Sequence, residues 1–331
     1  MREPVTVNLL TGFLGSGKTS LLRRLLQRPE LARTAVLINE FGEVGLDHLL
    51  VEAVDEEVVL LKSGCICCSI RGDLREGLAR LLGRRDRGEI APFDRVVIET
   101  TGLADPVPIV ASFSADPSLR WHFRLGAVIT VVDAVSGAAN LDRFEEAERQ
   151  VAIADRLVVS KTDLVDSDVV QSLAHRLSRL NPTAGLHPTS ENEAADLVLL
   201  DGEAHRSSAT PDVGHHRHGS GLGTFVIGAD EPLDWASFGL WLSLLLHRHG
   251  SSILRVKGLL HVAGSDGPVV VQGVQHLVHR PEHLTSWPDG RPATRLVVIG
   301  RDLDPVLVER SFRTFCGTGQ STPQGVAETV A

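Results

Sequence analysis

The chain is predicted to be an α/β protein in which a mostly parallel, helix-covered sheet is followed by a smaller α+β domain. Three observations in the 331 residues predict this. Short runs of Val, Ile and Leu alternate with stretches of helical spacing through the first half. A glycine-rich segment, Gly12–Thr19, falls between the first apolar run and the first helical stretch. A polar stretch rich in Gly, Ser and His then interrupts the pattern before a second set of elements begins.

The elements follow in order. Val5–Leu10, Ala35–Asn39, Val58–Leu61, Arg95–Glu99, Ala127–Asp133 and Arg156–Ser160 read as strands. They are nearly continuous in branched residues, as strands buried on both faces are. Thr19–Gln27, Asp73–Leu82 and Asp168–Leu180 carry apolar residues at helical spacing. In the second half, strands are expected at Gly223–Gly228, Ile253–Ala263, Val269–His279 and Thr294–Gly300, and helices at Trp235–His249 and from Asp304 to about Phe315. The expected division is a nucleotide domain over residues 1–200, a linker at 201–222, a second domain at 223–316 and a tail at 317–331. The linker is expected because its polar run lacks periodicity.

Composition excludes several classes. Hydrophobic residues make up 43% of the chain, and a net charge of −9 argues against sequence-independent nucleic-acid binding. No signal peptide is recognisable, and no stretch of about 20 apolar residues could span a bilayer. The four cysteines, Cys65, Cys67, Cys68 and the distant Cys316, are a poor disulfide framework. They suit a reducing, cytoplasmic setting. Of four lysines (Lys18, Lys62, Lys161 and Lys257) two fall in candidate nucleotide motifs.

Gly12–Thr19 fits the pattern GxxxxGK(S/T), so the first domain is expected to be of the P-loop NTPase type. Gly12, Gly15, Ser16 and Gly17 would aim backbone N–H groups at phosphate oxygens, beside the positive end of the helix that carries Ser20. Lys18 would reach the β- and γ-phosphates and Thr19 would ligate Mg²⁺. The strand Arg95–Glu99 ends in Glu-Thr-Thr-Gly, an order in which the acid, Glu99, would polarise Mg²⁺-bound water or the nucleophile and Gly102 would present its N–H to the γ-phosphate. The plainer alternative is a strand-capping Glu followed by a turn. Ser160-Lys161-Thr162-Asp163 follows the last apolar strand of the domain, where GTPases carry Asn-Lys-x-Asp. Asp163 would accept two hydrogen bonds from guanine, and Lys161 would lie along the base. An adenine lacks those donors, so GTP is favoured over ATP. Ser160 stands where Asn usually ties this loop to the phosphate loop, which leaves GTP affinity open.

Cys65, Cys67 and Cys68 place three thiols within four residues. Neighbouring cysteines seldom meet disulfide geometry, whereas thiolates bind Zn²⁺ and other borderline ions. In an extended segment Cys65 and Cys67 share a face while Cys68 opposes them, so a turn or a further ligand is needed. Glu40 or Glu43, in a candidate switch segment, could supply it. The alternative is that these cysteines are small buried hydrophobes. His215, His216 and His218, with His205 nearby, either hold metal loosely or simply lie in a solvated linker.

Five motifs in this order, Gly12–Thr19, 39–45, 64–68, 99–106 and Ser160–Asp163, resemble the CobW-type family of P-loop GTPases that act as metallochaperones. The second half looks like the family's C-terminal domain at 255–258, 272–275 and 298–301. The resemblance implies GTP-dependent delivery of a metal, zinc or cobalt, to a client metalloprotein. It also implies that Cys67 and Cys68, with Glu40 and Cys65 as a further ligand, form the transferable site. On this expectation, GTP and Mg²⁺ order the segment around Glu40, and hydrolysis releases it and frees the ion. Zn²⁺ is the expected cargo, with Co²⁺ the alternative. The second domain would dock the client or mediate self-association into a homo-oligomer. The rival functions are a nucleotide-bound metal buffer or sensor that delivers nothing, and a P-loop kinase for a small molecule.

Overall fold

The computed structural model describes residues 3–38, 70–188, 200, 216–217 and 221–317. Six parallel strands among them form one sheet. These are β1 (Val5–Gly12), β2 (Thr34–Ile38), β3 (Arg95–Glu99), β4 (Phe123–Asp133), β5 (Arg156–Ser160) and β6 (Gly185–Pro188). Their order is β2-β3-β1-β4-β5-β6. Helices α1 (Lys18–Leu26), α2 (Ile70–Asp86), α3 (Val107–Ala115), α4 (Pro117–His122), α5 (Gly137–Arg143), α6 (Glu145–Ala152) and α7 (Ser167–Leu180) connect them.

Period-2 alternation explains why the apolar runs have no polar face. Leu10, Val36, Val97 and Val131 pack with Leu21, Leu22 and Leu25 of α1. Leu9, Leu37, Val96 and Ile98 point the other way, into a core with Leu78, Val110, Val151 and Leu177 from α2, α3, α6 and α7.

The second sheet is antiparallel and runs β11-β10-β9-β13-β8-β7, with β12 paired to β10. Its strands are β7 (His216–Arg217), β8 (Leu222–Ala229), β9 (Ile253–Leu260), β10 (Val269–Val274), β11 (Leu277–Val278), β12 (Glu282–His283) and β13 (Thr294–Arg301). Helices α8 (Trp235–His249) and α9 (Pro305–Cys316) cover one face. There Trp241 meets Phe312 edge-on at 5.0 Å, within a core that includes Phe225, Val256 and Val298. Leu222, Leu254, Val274, Val297 and Ile299 belong instead to the core of the first half. This antiparallel sheet therefore has no wet face at its centre: its own helices close one side and the nucleotide half closes the other.

Three departures from the sequence expectations have physical causes. The span Val269–His279, read as one strand, is a hairpin: Val274 pairs with Leu277, and Gln275 takes the left-handed conformation (φ 51°) that reverses the chain. The segment read as an aperiodic linker contains β7, and its last residue, Leu222, already begins β8. The helices α3 to α6 were not anticipated. The strand expected at Val58–Leu61, Asn39 and the tail beyond residue 317 lie outside the described residues.

Candidate functional site

Parallel register brings the motifs to one edge. Leu10 pairs with Glu99, Gly12 with Val131, and Asp133 with Ser160, so the four strands end at the same edge of the sheet in a stagger, Glu99 lying deepest and Asp133 and Ser160 reaching furthest. Open parallel sheets bind ligands at this carboxyl edge.

Gly12 has φ 144°, and a Cβ there would sit 2.3 Å from the Val131 carbonyl oxygen, so only glycine lets the loop leave β1 this close to β4. Gly15 and Gly17 take left-handed φ values of 70° and 91°, which turn the backbone into the start of α1. The buried Lys18 curls over its own loop, with Nζ donating to the Gly12 and Phe13 carbonyls at 2.9 and 3.2 Å. Ser16 is buried, and its Oγ has no hydrogen-bond partner among the described residues. Ser20 is exposed on the first turn of α1. Successive N–H groups, a helix N-terminus, an ammonium and an unpartnered hydroxyl form a cradle that fits an anionic phosphate.

The Thr19 hydroxyl donates to Glu99 Oε1 at 2.6 Å. With its proton directed to the buried carboxylate, the Thr19 oxygen keeps its lone pairs for a hard cation, so the donor set fits Mg²⁺. Beyond Glu99, the Thr100 N–H donates to the Leu10 carbonyl at 3.0 Å and its hydroxyl to Thr11 Oγ1 at 2.9 Å. Gly102 lies directly on the phosphate loop, where a Cβ would come 2.6 Å from the Leu14 nitrogen. The structure thus brings Lys18, Thr19, Glu99 and Gly102 together.

On the other side, Ser160 Oγ donates to the Ser16 carbonyl at 2.6 Å. The tie that the missing Asn left open is made by this shorter side chain. Lys161 adopts a left-handed conformation (φ 57°) and its Nζ donates to the Gly15 carbonyl at 2.7 Å, spanning from the base loop to the phosphate loop. Asp163 is exposed on the short turn Thr162–Leu164.

Two residues that sequence reasoning missed support this edge. Asp133 is buried at the tip of β4, where its Oδ1 accepts from the N–H groups of Val135 and Ser136 at 3.1 and 2.7 Å. The same Oδ1 stands 4.0 Å from Lys161 Nζ. Gln150 is fully buried and donates to the carbonyls of Gly102 and Ala104 at 3.0 and 3.1 Å. An acid closing an apolar strand was visible as a signal for Asp133. A lone Gln on a short helix gave none.

Glu40, Cys65, Cys67 and Cys68 lie outside the described residues, as does Glu43. Among the described residues, no group of three or more His, Cys, Asp or Glu side chains could hold a metal ion, and no helix is long and apolar enough to cross a membrane. Cys316 is half-buried; burial, aided by Asp234, pushes its thiol up to about 11, which makes it a poor metal ligand at neutral pH.

Comparison with known proteins agrees with this geometry. The sequence model of the CobW/HypB/UreG nucleotide-binding domain matches residues 6–188, and that of the cobalamin synthesis protein cobW C-terminal domain matches 222–316. The zinc chaperone YjiA of Escherichia coli is 35% identical over 317 residues, covering 94% of this chain and 98% of that protein. The zinc-regulated GTPase metalloprotein activator 1 of Schizosaccharomyces pombe is 34% identical over 223 residues, 64% of this chain and 52% of that one. The crystal structure of Zn(II)-bound YjiA GTPase from E. coli superimposes with a TM-score of 0.74 at 30% identity, covering 95% of this chain and 99% of that one. A nucleotide edge of this geometry, two domain matches in sequence and a likeness to the E. coli zinc chaperone over nearly the whole of both chains place the chain in the CobW family.

Proposed function

We propose that this protein is a GTP-hydrolysing metallochaperone of the cytoplasm that carries a transition metal, zinc, to a client metalloprotein. The observation that carries the reading is the Thr19–Glu99 hydrogen bond at 2.6 Å beneath a phosphate loop on which Gly102 rests. That arrangement couples the phosphate loop to the segment after β3. The likeness to zinc chaperones and to a zinc-regulated metalloprotein activator supports zinc as cargo and a metalloprotein as client.

In this reading residues 1–200 handle nucleotide and 223–316 face the client or a second copy of the chain. The reaction is GTP and water to GDP and phosphate. Gly15, Ser16, Gly17 and Lys18 hold the phosphates, and Ser20 extends the first turn of α1 beside them. Mg²⁺, held by the Thr19 oxygen, supplies charge neutralisation on the phosphates when bound. Glu99 accepts a hydrogen bond from the Thr19 hydroxyl and, remaining ionised, carries the negative charge that orients the attacking water. Gly102 presents backbone toward the γ-phosphate, and its contact with Leu14 makes the loop sensitive to what the phosphate loop contains. Asp163 reads guanine and Lys161 braces the base loop against Gly15.

Glu40, Cys65, Cys67 and Cys68 are proposed as the cargo site on their sequence pattern. Ordering of the Glu40 segment by GTP would complete that site, and hydrolysis would open it. By reciprocity, zinc then tightens GTP binding by the factor by which GTP tightens zinc binding.

The test is zinc affinity by competition with a chromogenic chelator, with GDP and with a non-hydrolysable GTP analogue, on wild type and on Cys67→Ala/Cys68→Ala. Tighter zinc binding with the analogue, lost in the double variant, is the expected result. Equal affinity in both nucleotide states overturns nucleotide-gated carriage.

A further inference from the structure

Helix α6 touches both the nucleotide edge and the second domain. Near its C-terminal end, both protons of the Gln150 amide are spent on the loop after Glu99, one on the Gly102 carbonyl at 3.0 Å and one on Ala104 at 3.1 Å. The backbone carbonyl of Gln150 is fixed in turn by the Thr130 hydroxyl of β4 at 2.7 Å. Arg149 adds a third hold on the same loop through Asp105, at 3.1 Å. From the N-terminal half of the helix, Glu145 and Glu148 pair with Arg301, the last residue of β13, at 2.6 and 3.1 Å. Arg149 also pairs with Glu145 at 3.5 Å, so the two ends of the helix share one network.

We propose that Gln150 is a positioning residue for GTP hydrolysis, and that Arg301 of the second domain sets it through α6. The proposal rests on reading the Gly102 loop as the segment that contacts the γ-phosphate. Apolar packing of Ala147, Val151 and Ala152 seats the helix on the core. Two hydrogen bonds to one loop and two ion pairs to one arginine are directional, and tie its position to both. Glu148 is buried and Arg301 is mostly so, which shelters their pair from the screening that makes exposed pairs weak. Displacing Gly102 by a fraction of an ångström is enough to slow a reaction that depends on alignment. The second domain thereby acts on turnover without touching nucleotide.

The experiment is GTP turnover by the full-length chain, with kcat and KM measured separately and each rate normalised to the fraction that binds nucleotide. The variants are Gln150→Met, Arg301→Ala, Arg301→Lys, the double Gln150→Met/Arg301→Ala, and Gly102→Ala as a check on the underlying reading. Gln150→Met is expected to lower kcat about tenfold, with KM within about twofold. Arg301→Ala is expected to lower kcat about threefold or more, Arg301→Lys to recover most of it, and the double variant to be no slower than Gln150→Met. A wild-type kcat in Arg301→Ala, or losses that multiply in the double variant, overturns the proposal. If Gln150→Met does not fold, the contrast between Arg301→Ala and Arg301→Lys decides alone. Unchanged turnover in Gly102→Ala would remove the reading of the loop and the proposal with it. Stalled turnover in Gly102→Ala beside normal rates in the other variants removes the proposal only.

Discussion

At Ser160 a single hydroxyl links the base loop to the phosphate loop, and its short bond to the Ser16 carbonyl sets a clear expectation. Ser160→Ala removes one hydrogen bond worth about 1 kcal/mol, which weakens nucleotide binding about fivefold. Because the contact is to the loop and not to the γ-phosphate, GTP and GDP should weaken alike. Titration with fluorescent nucleotides checks this, and a loss confined to GTP would show that Ser160 acts elsewhere. Asp163→Ala tests the neighbouring position. It should narrow the preference for GTP over ATP by at least about tenfold, since the carboxylate that guanine satisfies and adenine does not is gone. Lys18, Thr19 and Glu99 were legible in the sequence because each belongs to a short contiguous motif at a strand tip. Gln150 was not: it acts on carbonyls 46 and 48 residues away, and nothing in the local pattern of α6 marks it.

Among the elements, the parallel strands were legible because burial on both faces demands continuous apolar runs, and β3 and β5 fall where those runs lie. The helices between β3 and β5 were hidden for a different reason. In α3, Val107, Ile109, Val110, Ser112 and Phe113 are all buried, so no polar stripe reveals the helical period. Helices α5 and α6 span only 7 and 8 residues, about two turns, too short for periodicity to register. The β10–β11 hairpin was missed because Gln275-His276 is not the Asn-Gly or Asp-Gly signal such turns usually show. The glycine at the end of β1 is where element geometry meets function. Gly12→Ala forces a Cβ onto the Val131 carbonyl at a φ that L-residues avoid. A cost of about 1–3 kcal/mol in urea denaturation is expected, together with loss of nucleotide binding. A variant that keeps both full stability and full affinity would show that the loop leaves β1 by another path.

On the scale of the whole molecule, the two halves meet through charge as well as apolar surface, and this interface was not legible because its partners lie about a hundred residues apart. Asp155, at the head of β5, accepts from the Val128 N–H at 2.9 Å and pairs with Arg255 of β9, whose guanidinium also donates to the Ile153 carbonyl. Lys257 stands 3.8 Å from the same carboxylate. Burial, the largest single influence, would raise the Asp155 carboxyl, but Arg255, Lys257 and the Val128 N–H together outweigh it and hold the group below its ordinary value. Asp155→Asn strands two buried cations and should cost about 3–5 kcal/mol, read as a drop in the urea midpoint. Lys257 carries the opposite sign. Burial lowers it from 10.5 to about 8 despite the pull of Asp155, with Arg255 and Arg156 adding to the fall. Its charged form is therefore penalised in the folded chain. Below pH 8 that penalty is present in full; between 8 and 10.5 the unfolded chain holds the proton more often than the folded one, so this group's contribution to stability rises with pH. Lys257→Met, which keeps the apolar stem and lacks the charge, should exceed wild type in stability at neutral pH. That advantage should shrink as the pH climbs past 8, while Arg255 continues to pair with Asp155. Urea midpoints of the two proteins at pH 7 and near pH 9.5 measure the difference, and an advantage that grows with pH would mean that the Asp155–Lys257 attraction outweighs desolvation at this interface.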